Sequence, residues 1–142
     1  NNPKVYPKNT PIVAAAGAGE IEVGFVNHYY LFRFLAEEGE SFSARNYYPN
    51  AGGPGALIMV AGVGILGTSE NRENAERFIE FLLSLVGQQY FASQTFEYPL
   101  VEGVKVAREL VPLSGLNTPS VSMRDLADLE GTIRLLQDVG IL

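Results

Sequence analysis

The fold of this chain is decided by residues 20–30, which read Glu-Ile-Glu-Val-Gly-Phe-Val-Asn-His-Tyr-Tyr. Polar and apolar residues alternate over the first seven positions, and this period of two predicts a β-strand. A helix is expected directly afterwards, with Leu31 and Leu35 on its apolar side. In open α/β sheets, ligands bind beyond the carboxyl ends of the strands. The stretch therefore predicts an α/β fold in which residues 27–30 lie where a ligand would bind.

Tyr29 and Tyr30 are the residues of this stretch whose chemistry points most clearly to a ligand. A phenol has a reference pKa of about 10 and is protonated at neutral pH, but a bound cation of high charge can deprotonate its own ligands. Phenolate oxygen is hard and anionic, and such ligands favour hard cations. Ferric iron fits a pair of phenolates best. The alternative is that the two tyrosines only begin the helix, with one ring buried and the other exposed.

Further elements are predicted from the pattern along the chain. A short helix is expected from Ile12 to Ala18, with Thr10 as its N-cap. Residues 56–66 form a continuous apolar run, which predicts a strand buried on both faces. A last helical pair is expected over residues 122–139, where Ser122 and Asp125 have the spacing of a capping box.

A longer helix is predicted after Ser69, which has the right chemistry to cap it. Its apolar residues recur at intervals of three and four, and this spacing predicts one buried stripe. The stripe consists of Ala75, Phe78, Ile79, Leu82, Leu83 and Val86.

Composition and charge limit the classes of function. The chain has 142 residues, of which 46% are hydrophobic and 18% charged, as is typical of a globular domain. Its net charge of -6 argues against a nucleic-acid partner, because binding phosphates requires a basic surface. The absence of cysteine excludes disulfides and thiolate metal sites. No apolar run approaches the roughly 18 residues that cross a membrane, so the chain is expected to be soluble.

Nucleotide binding and catalysis are not supported by the motifs. The string Gly-Val-Gly at residues 62–64 lacks the third glycine of a dinucleotide-binding loop. An enzyme is not expected, because the single histidine, His28, lies beside no obvious nucleophile with a partnering acid, and no serine lies in a nucleophile elbow.

Five short motifs between residues 27 and 91 occur in an informative order. They are Asn-His-Tyr-Tyr at residues 27–30, Gly-Pro-Gly-Ala-Leu at 53–57, Val-Ala-Gly-Val-Gly-Ile-Leu at 60–66, Phe-Leu-Leu-Ser at 81–84 and Gly-Gln-Gln-Tyr-Phe at 87–91. In this order they resemble the C-terminal half of the bacterial ferric-iron-binding proteins, the solute receptors of iron ABC importers. Asn-His-Tyr-Tyr is the most specific of them. The resemblance implies an α/β fold of the type II periplasmic-binding-protein kind, present here as a partial chain.

The resemblance also implies a set of binding residues. In that family two successive tyrosines ligate Fe(III), and the matching residues are Tyr29 and Tyr30. An asparagine two positions before the first tyrosine binds a synergistic anion, phosphate or carbonate, and it corresponds to Asn27. A second anion-binding asparagine corresponds to Asn9. Further ligands, often a His and a Glu or another Tyr, come in the family from segments that this chain lacks. His28 is interpreted as structural.

The division of the chain follows from the same resemblance. Residues 1–59 would belong to the C-terminal lobe and carry the tyrosines, residues 60–110 would form a hinge strand and a segment of the N-terminal lobe, and residues 111–142 would supply the terminal helices of the C-terminal lobe. The family's receptors are longer than this chain, and the sequence begins with Asn1 and shows no signal peptide. A fragment is therefore expected, which would pair with the missing N-terminal half or form a domain-swapped or homo-oligomeric assembly.

The implied function is extracytoplasmic capture of ferric iron and its delivery to an ABC importer permease in the membrane. The location would be periplasmic or extracytoplasmic, with or without a lipid anchor on the full-length protein. One alternative is a solute-binding protein for a small organic ligand such as a polyamine, thiamine or a phosphonate. Another is a structural interaction domain whose apolar strand would be a partner surface.

Overall fold

The computed structural model describes residues 3–49 and 51–142. These residues contain five α-helices, namely α1 (Asn9–Gly17), α2 (Tyr30–Glu38), α3 (Arg72–Leu82), α4 (Leu85–Gln94) and α5 (Leu129–Asp138). Short 3₁₀ turns lie at Gly39–Ser41, Pro54–Ala56, Leu113–Gly115 and Met123–Leu126. Asn1 and Asn2, from which the expectation about a signal peptide was drawn, lie outside the described residues. No helix in the described part of the chain has the length and apolar character needed to cross a membrane.

The described residues divide into two compact units. The first comprises the residues up to Tyr47 together with Ala61–Val111, and it contains α1 to α4. The second comprises the described residues of Tyr48–Val60 together with Pro112–Leu142, and it contains α5. The predicted assignment of residues 1–59, 60–110 and 111–142 to two lobes of a receptor stays a prediction.

The core of the first unit forms where α1 packs against α2. Val13 from α1, Leu31 from α2 and Phe42 from the following segment are buried against one another. The ring of Phe42 also stacks on Phe34, with 4.9 Å between ring centroids. Burial of side chains of this size contributes roughly 1.5–3 kcal/mol each. The same cluster borders Tyr30, so the core supports the first residue of α2.

Two glycines permit the close packing around α1. A Cβ atom on Gly17 would lie 2.2 Å from the ring of Phe42. A Cβ atom on Gly24 would lie 2.3 Å from the Cγ2 atom of Ile12. Residue 24 can therefore approach α1 closely only because it is glycine, and this approach leads the chain towards Asn27 beside the start of α1.

The predicted helix after residue 69 is divided into α3 and α4. The chain turns at Ser84, whose side chain caps α4 by accepting a hydrogen bond from the Gly87 N–H at 3.1 Å. Gln88 is buried directly after this turn. Its amide donates to the Leu82 carbonyl at 2.9 Å and accepts from the Leu100 N–H at 2.8 Å. The buried amide thereby satisfies two backbone groups that α3 and the later loop would otherwise leave unpaired.

The two predicted strands are not present among the described residues. Residues 20–26 and the apolar run of residues 56–66 contain no strand in the described structure. The apolar run was expected to be buried, yet most of its large side chains are exposed, with Met59 at 61% and Leu66 at 77%. A strand exists only when a neighbour accepts and donates its backbone hydrogen bonds, and the described residues supply no such neighbour. The period of two and the apolar run predicted suitability for a sheet, not the presence of a partner strand.

Three details of the predicted helices are also wrong. The N-cap position of α1 is Lys8 instead of Thr10, and that of α3 is Asn71 instead of Ser69. The Ser69 hydroxyl accepts from the Asn71 N–H at 3.3 Å, so it shapes the turn before the helix. The predicted apolar stripe is buried only in part, although α3 packs against α4. Phe78 remains 59% exposed.

The carboxyl-terminal region confirms the capping box but not the extent of its helix. The Ser122 N–H donates to Asp125 Oδ2 at 2.7 Å, and the reciprocal bond from the Asp125 N–H to the serine side chain is also present. The box begins the 3₁₀ turn Met123–Leu126, and α5 starts separately after Asp128. The predicted helical pair is therefore a short turn followed by a helix.

Candidate functional site

The predicted tyrosine pair lies at the amino-terminal end of α2. Tyr29 occupies the N-cap position and Tyr30 is the first helical residue. Both side chains are half-buried, and their ring centroids are 4.8 Å apart with 30° between the ring planes. The Tyr30 N–H donates to the Asn27 carbonyl at 3.2 Å, which closes the turn that carries the pair. The two rings therefore lie side by side, held by a tight turn below them.

The two predicted asparagines lie next to this pair. The side-chain amide of Asn27 donates to the Tyr29 phenol oxygen at 3.2 Å. The Asn27 backbone N–H donates to Asn9 Oδ1 at 3.4 Å, across eighteen residues of sequence. The structure thus brings Asn9, Asn27, Tyr29 and Tyr30 together at one place, while their roles in binding stay predictions.

Helix geometry gives this place a favourable potential for negative charge. Asn9 is the first residue of α1 and Tyr30 is the first residue of α2, and neither helix has a side-chain cap. The amino-terminal end of a helix carries roughly half a positive charge and directs N–H groups outward. Two such ends close to one group of amides and phenols favour a small anion and an ionised phenol.

The pKa of the Tyr29 phenol is raised above its ordinary value. The largest cause is burial, which disfavours the charged phenolate. The Asn27 amide acts in the opposite direction through its hydrogen bond, and Tyr30 and Glu97 raise the pKa further. Without a cation this phenol is therefore protonated at neutral pH. A cation that binds here must displace the proton.

His28 has contacts that sequence reasoning did not predict. Its Nε2 atom lies 2.7 Å from the Phe96 carbonyl oxygen, and its backbone carbonyl accepts from the Asn46 amide at 2.8 Å. Its ring packs edge-on against Tyr29, with 5.5 Å between centroids, and lies tilted against Tyr98, with 5.1 Å between centroids. The interpretation of His28 as structural agrees with these contacts. Its partner across 68 residues could not be found from local sequence.

The described residues were also compared with two other kinds of binding site, a cluster of metal ligands and a surface cavity. Within residues 3–49 and 51–142, no group of three or more His, Cys, Asp or Glu side chains is arranged to hold a metal ion. An open cavity of about 450 Å³ lies beside α4 and contains none of the predicted site residues. It is lined by Leu85, Val86, Gln89, Tyr90, Gly103 and Val104.

Comparison with known proteins relates the chain to iron-binding receptors. It is 34% identical over 139 residues to the major ferric iron-binding protein of Neisseria meningitidis serogroup A, and the match covers 97% of this chain and 42% of that protein. It is 31% identical to the Fe(3+)-binding periplasmic protein of Serratia marcescens, covering 96% of this chain and 41% of that one. No protein-family model matches the chain.

The structural comparison agrees with the sequence comparison. The crystal structure of iron-bound HitA from Pseudomonas aeruginosa matches with a TM-score of 0.86 and 33% identity, covering 95% of this chain and 44% of HitA. The fold is thus part of a type II periplasmic-binding-protein fold, as predicted. These relatives are iron-binding proteins and not enzymes, which supports the prediction against catalysis. The chain spans less than half the length of each relative.

Proposed function

We propose, starting from the homology of this chain to the C-terminal half of the bacterial ferric iron-binding proteins, that it captures ferric iron for import. The observation that carries the proposal is the side-by-side placement of Tyr29 and Tyr30 at the start of α2, with 4.8 Å between their ring centroids. Two neighbouring phenols supply hard anionic oxygens once they lose their protons. Fe(III) is the cargo whose charge is high enough to displace both protons at neutral pH.

A synergistic anion completes the proposed binding site. Asn9 and Asn27 would hold phosphate or carbonate through amide donors, beside the amino-terminal ends of α1 and α2. Support comes from the bond between the Asn27 N–H and Asn9 Oδ1 and from the bond between the Asn27 amide and the Tyr29 oxygen. An anion there would contact both the amides and the metal. A helix amino terminus binds such anions without a cationic side chain.

The remaining ligands would come from a second lobe. Residues 1–59 and 111–142 would belong to the C-terminal lobe, and residues 60–110 would return to the N-terminal lobe. Closure of a hinge would then bring further ligands onto iron that the tyrosines already hold.

Location and partners follow from the same role. An iron receptor of this kind acts in the periplasm or outside the cytoplasmic membrane, and the full-length protein could carry a lipid anchor there. Its partner would be the permease of an ABC importer. The exposed apolar run of residues 56–66 would be covered by the missing N-terminal half or, in the isolated chain, by a second copy through domain swapping. Light scattering tests the last point, and a strictly monomeric isolated chain would contradict it.

The experiment that tests the proposed function is iron loading of the full protein that carries this sequence. The protein is mixed with chelated Fe(III) and phosphate or carbonate, desalted, and examined by visible absorption and iron analysis. Charge transfer from phenolate to iron should give a coloured protein that contains about one iron per chain. A colourless, iron-free protein would contradict the proposal. Binding of a polyamine, thiamine or a phosphonate by that colourless protein would instead establish the organic-ligand alternative.

A further inference from the structure

The histidine between the proposed anion and metal residues has an unusual partner. His28 Nε2 lies 2.7 Å from the Phe96 carbonyl oxygen. A carbonyl oxygen can only accept a hydrogen bond, so Nε2 carries the hydrogen and donates it. The contact joins the turn before α2 to the segment that follows α4.

Phe96 is held in a conformation that its side chain disfavours. Its φ angle is +57°, and among the described residues no other non-glycine residue has a positive φ. A left-handed conformation is unfavourable for a non-glycine residue, because its Cβ atom comes too close to the following carbonyl oxygen. Phe96 directly follows Thr95, the C-cap residue of α4. Glycine is the usual residue at the position after a C-cap. Phenylalanine at this position must therefore be stabilised by contacts of its side chain or of its carbonyl group.

Both gains are visible in the structure. The Phe96 ring stacks on Phe32 of α2, with 4.6 Å between centroids and 16° between planes. Its carbonyl accepts the bond from His28. Phe32 is buried in the first turn of α2 and His28 lies just before that helix, so the two contacts attach the end of α4 to the start of α2 at two points.

His28 is itself held on more than one side. Its backbone carbonyl accepts from the Asn46 amide at 2.8 Å. Its ring lies against Tyr29 in an edge-on arrangement, with 79° between the planes. His28 is thus held through its backbone carbonyl and through its ring. This restricts the positions that the phenol of the next residue, Tyr29, can adopt.

We propose that His28 is a positioning residue for the tyrosine pair, which fixes the turn of residues 27–30 by donating to the Phe96 carbonyl at the end of α4. The inference rests on the proposed function, because it assigns His28 to the support of the same iron site. His28 does not ligate the metal. Its ring orients Tyr29 in the metal-free protein, so that less order has to be gained when iron binds.

The test uses two substitutions of His28 in the full protein. His28→Leu removes the donor, whereas His28→Gln keeps an N–H donor at a similar reach. Hydrogen exchange in the iron-free protein should be about fivefold faster for residues 27–30 and 96 in His28→Leu, as expected from the loss of one hydrogen bond. His28→Gln should restore the protection. Iron affinity, measured against a competing chelator, should fall about tenfold in His28→Leu and recover in His28→Gln.

The outcomes separate this inference from the proposed function. If the wild-type protein binds iron and His28→Leu changes neither exchange nor affinity, the positioning role is wrong and the iron site stands. If exchange changes as expected but the wild-type protein binds no iron, the link between His28 and Phe96 stands, the proposed function fails and with it the role for iron. An equal loss of affinity in His28→Leu and His28→Gln would also overturn the positioning role.

A second variant keeps the inference testable if His28→Leu does not fold. Phe96→Ala retains the carbonyl group but removes the ring that stacks on Phe32. It should loosen the acceptor and accelerate exchange in residues 27–30, although His28 is unchanged. Unaltered protection of those residues in Phe96→Ala would contradict the connection.

Discussion

The side-chain amide of Asn27 donates a hydrogen bond to the phenol oxygen of Tyr29 at 3.2 Å. This bond lowers the pKa of the phenol, in opposition to burial, which raises it. An amide that donates to a phenol oxygen stabilises the phenolate more than the phenol, because the hydrogen bond becomes stronger when the oxygen is anionic. In the proposed site Asn27 would therefore have two roles, since its amide favours ionisation of Tyr29 and would also bind the synergistic anion.

Replacement of this amide should weaken the dependence of iron binding on the anion. In Asn27→Ala the iron affinity in phosphate should fall about tenfold, which is the usual effect of removing a partner that orients a metal ligand. The measurement is competition with a chelator at several phosphate concentrations. Asn74→Ala, on the exposed surface of α3, is the matched control and should behave as the wild type. Full anion dependence in Asn27→Ala would contradict the assignment.

Iron binding should weaken as the pH falls. Each phenol that binds Fe(III) loses a proton, and the raised pKa of Tyr29 means that this proton is held more firmly than usual. At all pH values below the phenol pKa, affinity should therefore rise by about tenfold per pH unit for each proton displaced. Competition with a chelator of known proton affinity, from about pH 8 to about pH 5, measures the slope. An affinity that does not change with pH would exclude phenolate ligands.

The raised pKa of Tyr29 also predicts how the stability of the metal-free protein changes with pH. Because the pKa of Tyr29 is higher in the folded state than in the unfolded chain, its contribution to stability is fully present below the ordinary tyrosine pKa. The contribution is lost as the pH rises through the raised value. Urea unfolding of the wild type and of Tyr29→Phe at alkaline pH checks this, and Tyr29→Phe should lose less stability there.

Gly17→Ala should destabilise the first unit, although alanine is normally the better residue in a helix. The new Cβ atom would lie 2.2 Å from the ring of Phe42, which is buried and stacked on Phe34. Overpacking of this kind costs roughly 1–3 kcal/mol. Chemical unfolding measures the change. Gly53→Ala is the control, since its Cβ would meet no atom within 4 Å. A Gly17→Ala variant as stable as the wild type would contradict the close packing.

Local signals predicted the helices more reliably than the strands. The Ser122 and Asp125 spacing correctly predicted a capping box, because both partners lie within one turn of chain. The alternation in residues 20–26 and the apolar run of residues 56–66 predicted strands that the described residues do not form. Sheet formation depends on a neighbouring strand, which the pattern within one segment cannot reveal. The resemblance in motif order predicted the type II periplasmic-binding-protein fold, of which this chain forms a part.

The resemblance pointed to Tyr29, Tyr30, Asn27 and Asn9 as candidate site residues, and their roles in binding stay predictions. The structure shows that these four residues lie close together. The contact of His28 with Phe96 could not be predicted from local sequence, because it joins residues 68 positions apart. The positive φ of Phe96 was equally hidden, since no glycine marks that turn.

The central claim is that Tyr29 and Tyr30 ligate ferric iron. The most direct measurement is the visible absorption and iron content of Tyr29→Phe and Tyr30→Phe in the full protein, loaded with iron and phosphate. Each substitution removes one phenolate oxygen and keeps the ring, so each should reduce the charge-transfer band and weaken iron binding by about tenfold or more. Tyr47→Phe, in a side chain that is 85% exposed, should keep the wild-type band and affinity. An unchanged band and unchanged affinity in both Tyr29→Phe and Tyr30→Phe would contradict the claim.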